Sequence, residues 1–116
     1  MKIAFASRTG NVESIVNNLP FDSIHIQTGT ETIDEPYVLF TYTDGWGDVP
    51  AEVETFLESN NPGLLQGVVV SGDLSYGEAY CLAGDKIAEA YGVEVLYRVE
   101  NAGTQEDLEA IRNVIE

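Results

Sequence analysis

The sequence predicts an open, doubly wound α/β domain built on a five-stranded parallel sheet, and three observations predict it. Five β-type segments alternate with segments of helical period. Two of the five, residues 37–43 and 65–71, are nearly continuous apolar and β-branched runs, as strands covered on both faces are. The first, third and fourth segments each end in a polar, glycine-bearing loop. In such a sheet ligands bind outside the carboxyl ends of the strands, so these loops mark where function is to be sought.

Each element follows from its residues. Residues 2–6 form the first strand, and the small polar residues 7–11 break it before Val12, Ile15, Val16 and Leu19 resume at helical spacing, with Thr9 or Asn11 as cap. Residues 22–27 are a short strand, and the polar stretch 28–35 that follows has a weak helical pattern or none. The third strand, 37–43, runs into the loop 44–49, and Pro50 sits near the first turn of a helix over 51–59, which Asn60-Asn61-Pro62-Gly63 stops. The fourth strand, 65–71, leads through the loop 72–77 to a helix from about residue 78 to 91, ended by Gly92. Residues 93–99 make the last strand. Thr104, with Asp107 three residues on, caps a final helix whose apolar face is Ile111, Val114 and Ile115.

Composition excludes several classes. A chain of 116 residues suits a single domain over residues 1–116 and is too short for an eightfold barrel. Its hydrophobic content of 44% argues against disorder, and no apolar run is long enough to span a bilayer. The first residues alternate like a strand and read as mature protein, and the single cysteine, Cys81, forms no internal disulfide, so a reducing, cytoplasmic setting is expected. A net charge of −15 makes nucleic acid and anionic membranes poor partners. The charge is uneven: residues 1–19 hold Lys2, Arg8 and Glu13, whereas all but three of the remaining charged residues are acidic. An anionic ligand is therefore expected near Arg8.

The loops carry specific chemistry. Ser7, Arg8, Thr9, Gly10, Asn11 and Val12 lead into a helix with more small and hydroxyl residues than one cap requires, which points to phosphate binding. Neither a Gly-x-x-x-x-Gly-Lys-Ser/Thr nor a Gly-x-Gly-x-x-Gly sequence is present, so neither a nucleoside triphosphatase nor a dinucleotide site is indicated. Trp46 and Tyr76 stand beside Gly45, Gly47 and Gly77. They suit stacking on a flat heteroaromatic ligand or capping of the core, and the residues alone leave both open. His25 and Cys81 have no paired spacing, Asp44, Asp48, Asp73 and Glu78 lie on separate loops, and no metal site is expected.

The phosphate-type loop, the aromatic glycine loops and the five-strand order together resemble the flavodoxin fold, with sheet order 2-1-3-4-5. Asp34-Glu35-Pro36-Tyr37, Gly67-Val68 leading to Ser71-Gly72, Tyr76-Gly77-Glu78-Ala79-Tyr80, Ala83-Gly84-Asp85, Leu96-Tyr97-Arg98 and Gly103-Thr104-Gln105 resemble the NrdI family, the flavodoxin-like activators of class Ib ribonucleotide reductase. The resemblance implies flavin mononucleotide (FMN), its phosphate held by residues 7–12. It implies a ring contacted by Thr43, Asp44, Gly45, Trp46 and Gly47 and by Ser71, Gly72, Asp73, Tyr76 and Gly77. Either Gly45 or Gly47 would present its peptide to flavin N5. The flavin would carry the chemistry, with no catalytic side chain. The implied partners are an electron donor, dioxygen and the dimanganese small subunit of the reductase, which would receive superoxide. A generic electron-carrier flavodoxin and a flavin-free binding domain of the same fold are the competing readings. Two departures from the family pattern add charge beside the ring: the compact second loop with Trp46 and two aspartates, and Asp73 where Asn is common.

Overall fold

The computed structural model describes residues 1–116. In chain order the elements are β1 (Lys2–Phe5), α1 (Asn11–Asn17), β2 (Ser23–His25), β3 (Tyr37–Tyr42), α2 (Ala51–Ser59), β4 (Leu65–Gly72), α3 (Leu82–Tyr91), β5 (Val95–Glu100) and α4 (Gln105–Ile115). All strands are parallel and lie in the order β2-β1-β3-β4-β5, the order expected from the resemblance. The chain reverses direction across the sheet between β1 and β3, and there the first and second loops emerge side by side.

The period-two alternation of the strands divides the core into two layers. Ile3 and Phe5 of β1 and Val38 and Phe40 of β3 face one way, against Val12, Ile15 and Val16 of α1 and Ile111 and Ile115 of α4. Ala4 of β1 and Tyr37 and Leu39 of β3 face the other way, against Val53, Phe56 and Leu57 of α2 and Ile87 of α3. Full burial of one such side chain contributes about 1.5–3 kcal/mol, so a one-residue slip would forfeit both layers together.

The boundaries differ from expectation in instructive ways. The third loop does not pass into a helix at residue 78: Leu74–Ala79 is a 3-10 segment kinked at Gly77 (φ +57), and Cys81 is left-handed (φ 55) before α3 begins at Leu82. Two positive-φ residues within five positions prevent a continuous α-helix there. The N-cap of α1 is Gly10 (φ +91), with no side-chain cap, rather than Thr9 or Asn11. Residues 27–36 hold no helix. β5 is shifted to Val95–Glu100, and Val114 is 45% exposed, because Leu108, Ile111 and Ile115 make the apolar stripe of α4. The expected capping box of α4 is present: Asp107 N–H donates to Thr104 Oγ1 at 3.2 Å, and Thr104 N–H to Asp107 Oδ2 at 2.8 Å. His25 is half-buried, stacked on Phe5 with ring centroids 4.5 Å apart, and Cys81 is fully buried.

Candidate functional site

A cleft of about 400 Å³ opens at the carboxyl ends of the strands, a size within the usual span of small-molecule sites, roughly 300–1,000 Å³. Its walls come from four segments. The first loop supplies Ser7, Arg8, Thr9, Asn11 and Val12; the end of β3 and the second loop supply Tyr42, Thr43 and Gly45. The end of β4 and the third loop supply Ser71, Gly72, Asp73, Tyr76 and Ala79, and the turn after β5 supplies Asn101. The three loops singled out in the sequence thus converge on one cavity.

Five of the site residues expected from the sequence stand outside the walls, each for a visible reason. Gly10 provides the left-handed turn into α1, and Gly77 provides the kink of the third loop; a Cβ on either would meet only open space. Gly47 (φ +104) is packed on α3, where a Cβ would lie 2.5 Å from Leu82 Cδ2. Asp44 is turned to Arg8. Trp46 points outward, 73% exposed, with its ring edge-on to Tyr76 at 5.2 Å between centroids. The two rings therefore form a pair at the rim, with Tyr76 alone on the wall.

Sequence reasoning missed Tyr42, Ala79 and Asn101. Asn101 is left-handed (φ 52), and its N–H donates to Gly72 O at 2.8 Å while its carbonyl accepts from Ser71 Oγ at 2.7 Å. These bonds close the β5 turn over the floor of the cleft. The polar run Glu100-Asn101-Ala102-Gly103 is the sequence signal, legible once the β4–β5 neighbourhood is known.

The polar groups are arranged with few free charges. Ser7 Oγ accepts from Glu13 N–H at 3.2 Å, which ties the first loop to the first turn of α1. Thr43 Oγ1 donates to Ser71 O at 3.1 Å, linking the second and third segments beneath the cavity. Arg8 Nη1 pairs with Asp44 Oδ1 at 2.8 Å, and the guanidinium lies 4.9 Å from the centroid of the Tyr42 ring. The hydrogen bond to Asp44 holds Arg8 even more firmly protonated than usual, and the same bond lowers the Asp44 pKa. Desolvation, then the bond its hydroxyl donates to Glu52 Oε2 at 2.7 Å, pushes Tyr42 up to about 12. Asp73 caps the 3-10 segment by accepting from Ser75 N–H at 2.9 Å, which keeps its carboxyl below the ordinary range. Burial raises the Cys81 thiol to about 11, which makes it a poor nucleophile near neutral pH. No group of three or more His, Cys, Asp or Glu side chains is placed to hold a metal ion.

The floor requires backbone at close range. A Cβ at Gly72 would lie 2.9 Å from Cys81 N and 3.3 Å from Tyr80 Cδ1, so only glycine lets the third loop fold back over the end of β4. What results is a cleft lined at the first loop by Ser7, Thr9, Asn11 and the Asp44-paired Arg8, and at the second and third loops by Gly45, Asp73 and Tyr76.

Comparison with known proteins agrees with this architecture. Two solved structures share the fold: a short-chain flavodoxin associated with a bacterial microcompartment, with TM-score 0.71 and 22% identity over 97% of this chain and 91% of that one, and a Fusobacterium nucleatum flavodoxin bound to flavin mononucleotide, with TM-score 0.56 and 15% identity over 98% and 93%. Among curated sequences, protein NrdI of Bacillus licheniformis is 40% identical over 116 residues, covering 100% of this chain and 88% of that protein. Protein NrdI of Brucella ovis is 39% identical, covering 98% and 90%. The profile described as NrdI flavodoxin-like matches residues 3–113, and with these relatives it establishes that the chain belongs to the NrdI family of flavodoxin-like proteins.

Proposed function

We propose that the cleft binds FMN and that the protein is a redox activator of a class Ib ribonucleotide reductase. The single observation that carries the reading is the composition of the cleft: the hydroxyl and amide side chains of Ser7, Thr9 and Asn11 line one end, and Gly45 and the Tyr76 ring line the wall formed by the second and third loops. A phosphate suits the first end and a planar ring the second. Family membership and the likeness to an FMN-bound flavodoxin support the same ligand.

In this reading Ser7, Thr9 and Asn11 hold the phosphate with neutral donors, and Arg8 supplies the one cation of the wall. Thr43, Gly45, Gly72 and Tyr76, which line the rest of the cleft, would hold the ring, and Trp46 packs edge-on against Tyr76 at the rim. Gly10, Gly47 and Gly77 shape the loops without lining the cavity. Bound in reduced form, the flavin would supply the one-electron reduction of dioxygen whose product, superoxide, the dimanganese site of the small reductase subunit would use. The protein's part is to orient the ring and to limit access to it. A separate electron donor and a reducing, cytoplasmic compartment complete the proposal.

The test is to mix the reduced, flavin-loaded protein with the manganese form of the small subunit from the same source under air and to follow the tyrosyl radical by electron paramagnetic resonance. A radical that forms only when the protein is present supports activation. Absence of the radical, with fast electron transfer to unrelated acceptors, makes the protein a generic carrier. Protein that stays colourless after flavin addition removes the cofactor itself.

A further inference from the structure

Two aspartates bracket the second loop and face each other. Asp44 N–H donates to Asp48 O at 2.9 Å, and Asp48 N–H to Asp44 O at 2.7 Å, in an isolated antiparallel bridge. Like charges directly opposite in such a pair repel, and here they do so within a chain of net charge −15. Each is met by a cation from a different element: Asp44 by Arg8 of the first loop at 2.8 Å, and Asp48 by Lys86 of α3 at 3.4 Å.

The two pairs are unequal. Lys86–Asp48 is long, and the Asp48 side chain is 74% exposed. Arg8–Asp44 is short, the Asp44 side chain is 35% exposed, and the guanidinium also rests on the Tyr42 ring, whose hydroxyl is held by Glu52 of α2. Arg8, its side chain 56% exposed, is thus met by two groups, Asp44 and the Tyr42 ring, and that ring is itself held by Glu52. Apart from these pairs and its own backbone bridge, the second loop is held by Gly47 on Leu82 at its far side and by the Trp46 ring edge-on to Tyr76 of the third loop at 5.2 Å. Gly45, on the cleft side, has only Asp48 Oδ2 near its Cβ position, at 3.5 Å.

We propose that Asp44 is a positioning residue: paired with Arg8, it braces the second loop against the first, so that the cleft wall at Gly45 is preformed before a ligand arrives. Exposed ion pairs contribute little to global stability, so the effect is on loop order and on the affinity of whatever lies along that wall. The statement about affinity rests on the flavin reading above; the statement about loop order does not.

The chain has one tryptophan, Trp46, and it lies in this loop, so its fluorescence anisotropy reads loop order without any ligand. Asp44→Asn and Arg8→Gln should each lower that anisotropy, the double variant should fall no further than the lower single variant, and Asp48→Asn should change it less. Raising sodium chloride to about 0.5 M should move the wild type toward the Asp44→Asn value, because salt screens an exposed pair. Riboflavin, which has no phosphate and no charge, is the ligand probe, since salt acts on its binding mainly through the protein's own ion pairs. Asp44→Asn should weaken riboflavin about two- to fivefold, the range an exposed ion pair supplies, and its affinity should depend less on salt than that of the wild type. Unchanged anisotropy in both single variants overturns the brace. Lower anisotropy with unchanged riboflavin affinity overturns the positioning role. If the wild type binds neither riboflavin nor FMN, it is the flavin reading that fails, and the anisotropy still decides the brace.

Discussion

Gly84 of α3 lies directly on Val70 of β4: a Cβ at Gly84 would stand 2.6 Å from Val70 Cγ1 and 2.9 Å from Val70 Cβ. Gly84 has no positive φ, so the position demands space rather than a special backbone. The contact seats the start of α3 on the sheet, and with it Cys81 and Ala83, which pack against Val70 behind the third loop.

Gly84→Ala should therefore destabilise the fold although alanine is the better helix former. Overpacking a close helix–strand contact costs about 1–3 kcal/mol, against a propensity gain of about 1 kcal/mol. Urea unfolding should show a lower midpoint, with the third loop more open to proteolysis. A midpoint equal to the wild type would mean that α3 can lift from β4 at no cost.

The two glycines of the second loop should separate by phenotype. Gly47→Ala sets a Cβ against Leu82 at a φ of +104, and it should cost about 2 kcal/mol or more of stability. Gly45→Ala, at φ +48 with only an ordinary contact to Asp48 Oδ2 at 3.5 Å, should cost about 1 kcal/mol and act instead on flavin binding, because Gly45 is the one on the cleft wall. Urea unfolding paired with flavin fluorescence titration distinguishes them. The opposite assignment of stability and binding effects would place the ligand on the wrong side of the loop.

The legible features were those written in local pattern. Ile3 and Phe5 against Ala4 and Ala6 announce a strand buried on both faces, and the polar glycine loops announce where the strands end. The start of α3 was not legible, because Cys81 adopts a left-handed conformation that its residue type does not signal. Asn101 and Tyr42 enter the cleft only once the sheet order sets β5 beside β4 and β3 beside β1. The uneven charge points to Arg8 as the place for an anionic ligand, but not to Asp44, which pairs with it from 36 positions away, a partner that no local window contains.

Asp73→Asn should raise the potential of the second flavin electron. Asp73 is on the cleft wall and stays ionised because the Ser75 N–H holds its carboxylate, so it opposes added negative charge on a bound ring. Asparagine is an equally good cap, so the loop should keep its shape. Solvent screening keeps the shift below about 59 mV, which is a tenfold change for one electron. Spectroelectrochemical titration showing no shift, or a fall, would remove the carboxylate from the account of the potential.

Glu31 supplies the clearest pH dependence. Its Oε2 accepts from Gln27 N–H at 2.9 Å and Thr28 N–H at 3.1 Å, and its Oε1 from Gly29 N–H at 2.9 Å, so one carboxylate organises the connection that replaces a helix between β2 and β3. Asn60 at the end of α2 ties the same connection down: its Nδ2 donates to Glu31 O, and its Oδ1 accepts from Ile33 N–H. Desolvation alone would raise the Glu31 pKa, but the backbone donors outweigh it and lower it from 4.5 to about 2. A depressed carboxyl contributes its stability above the unfolded-state value and loses it as pH falls through the folded-state value. Glu31→Gln should thus be less stable than the wild type near pH 7 by about 1 kcal/mol, the net worth of a hydrogen bond to a charged acceptor after glutamine recovers part of it. The gap should narrow as pH falls from 4.5 toward about 2, where the wild-type carboxyl also becomes neutral. Urea unfolding of both proteins across that interval measures the gap directly, and a difference that stays constant with pH would show that the charge of Glu31 does not hold the connection.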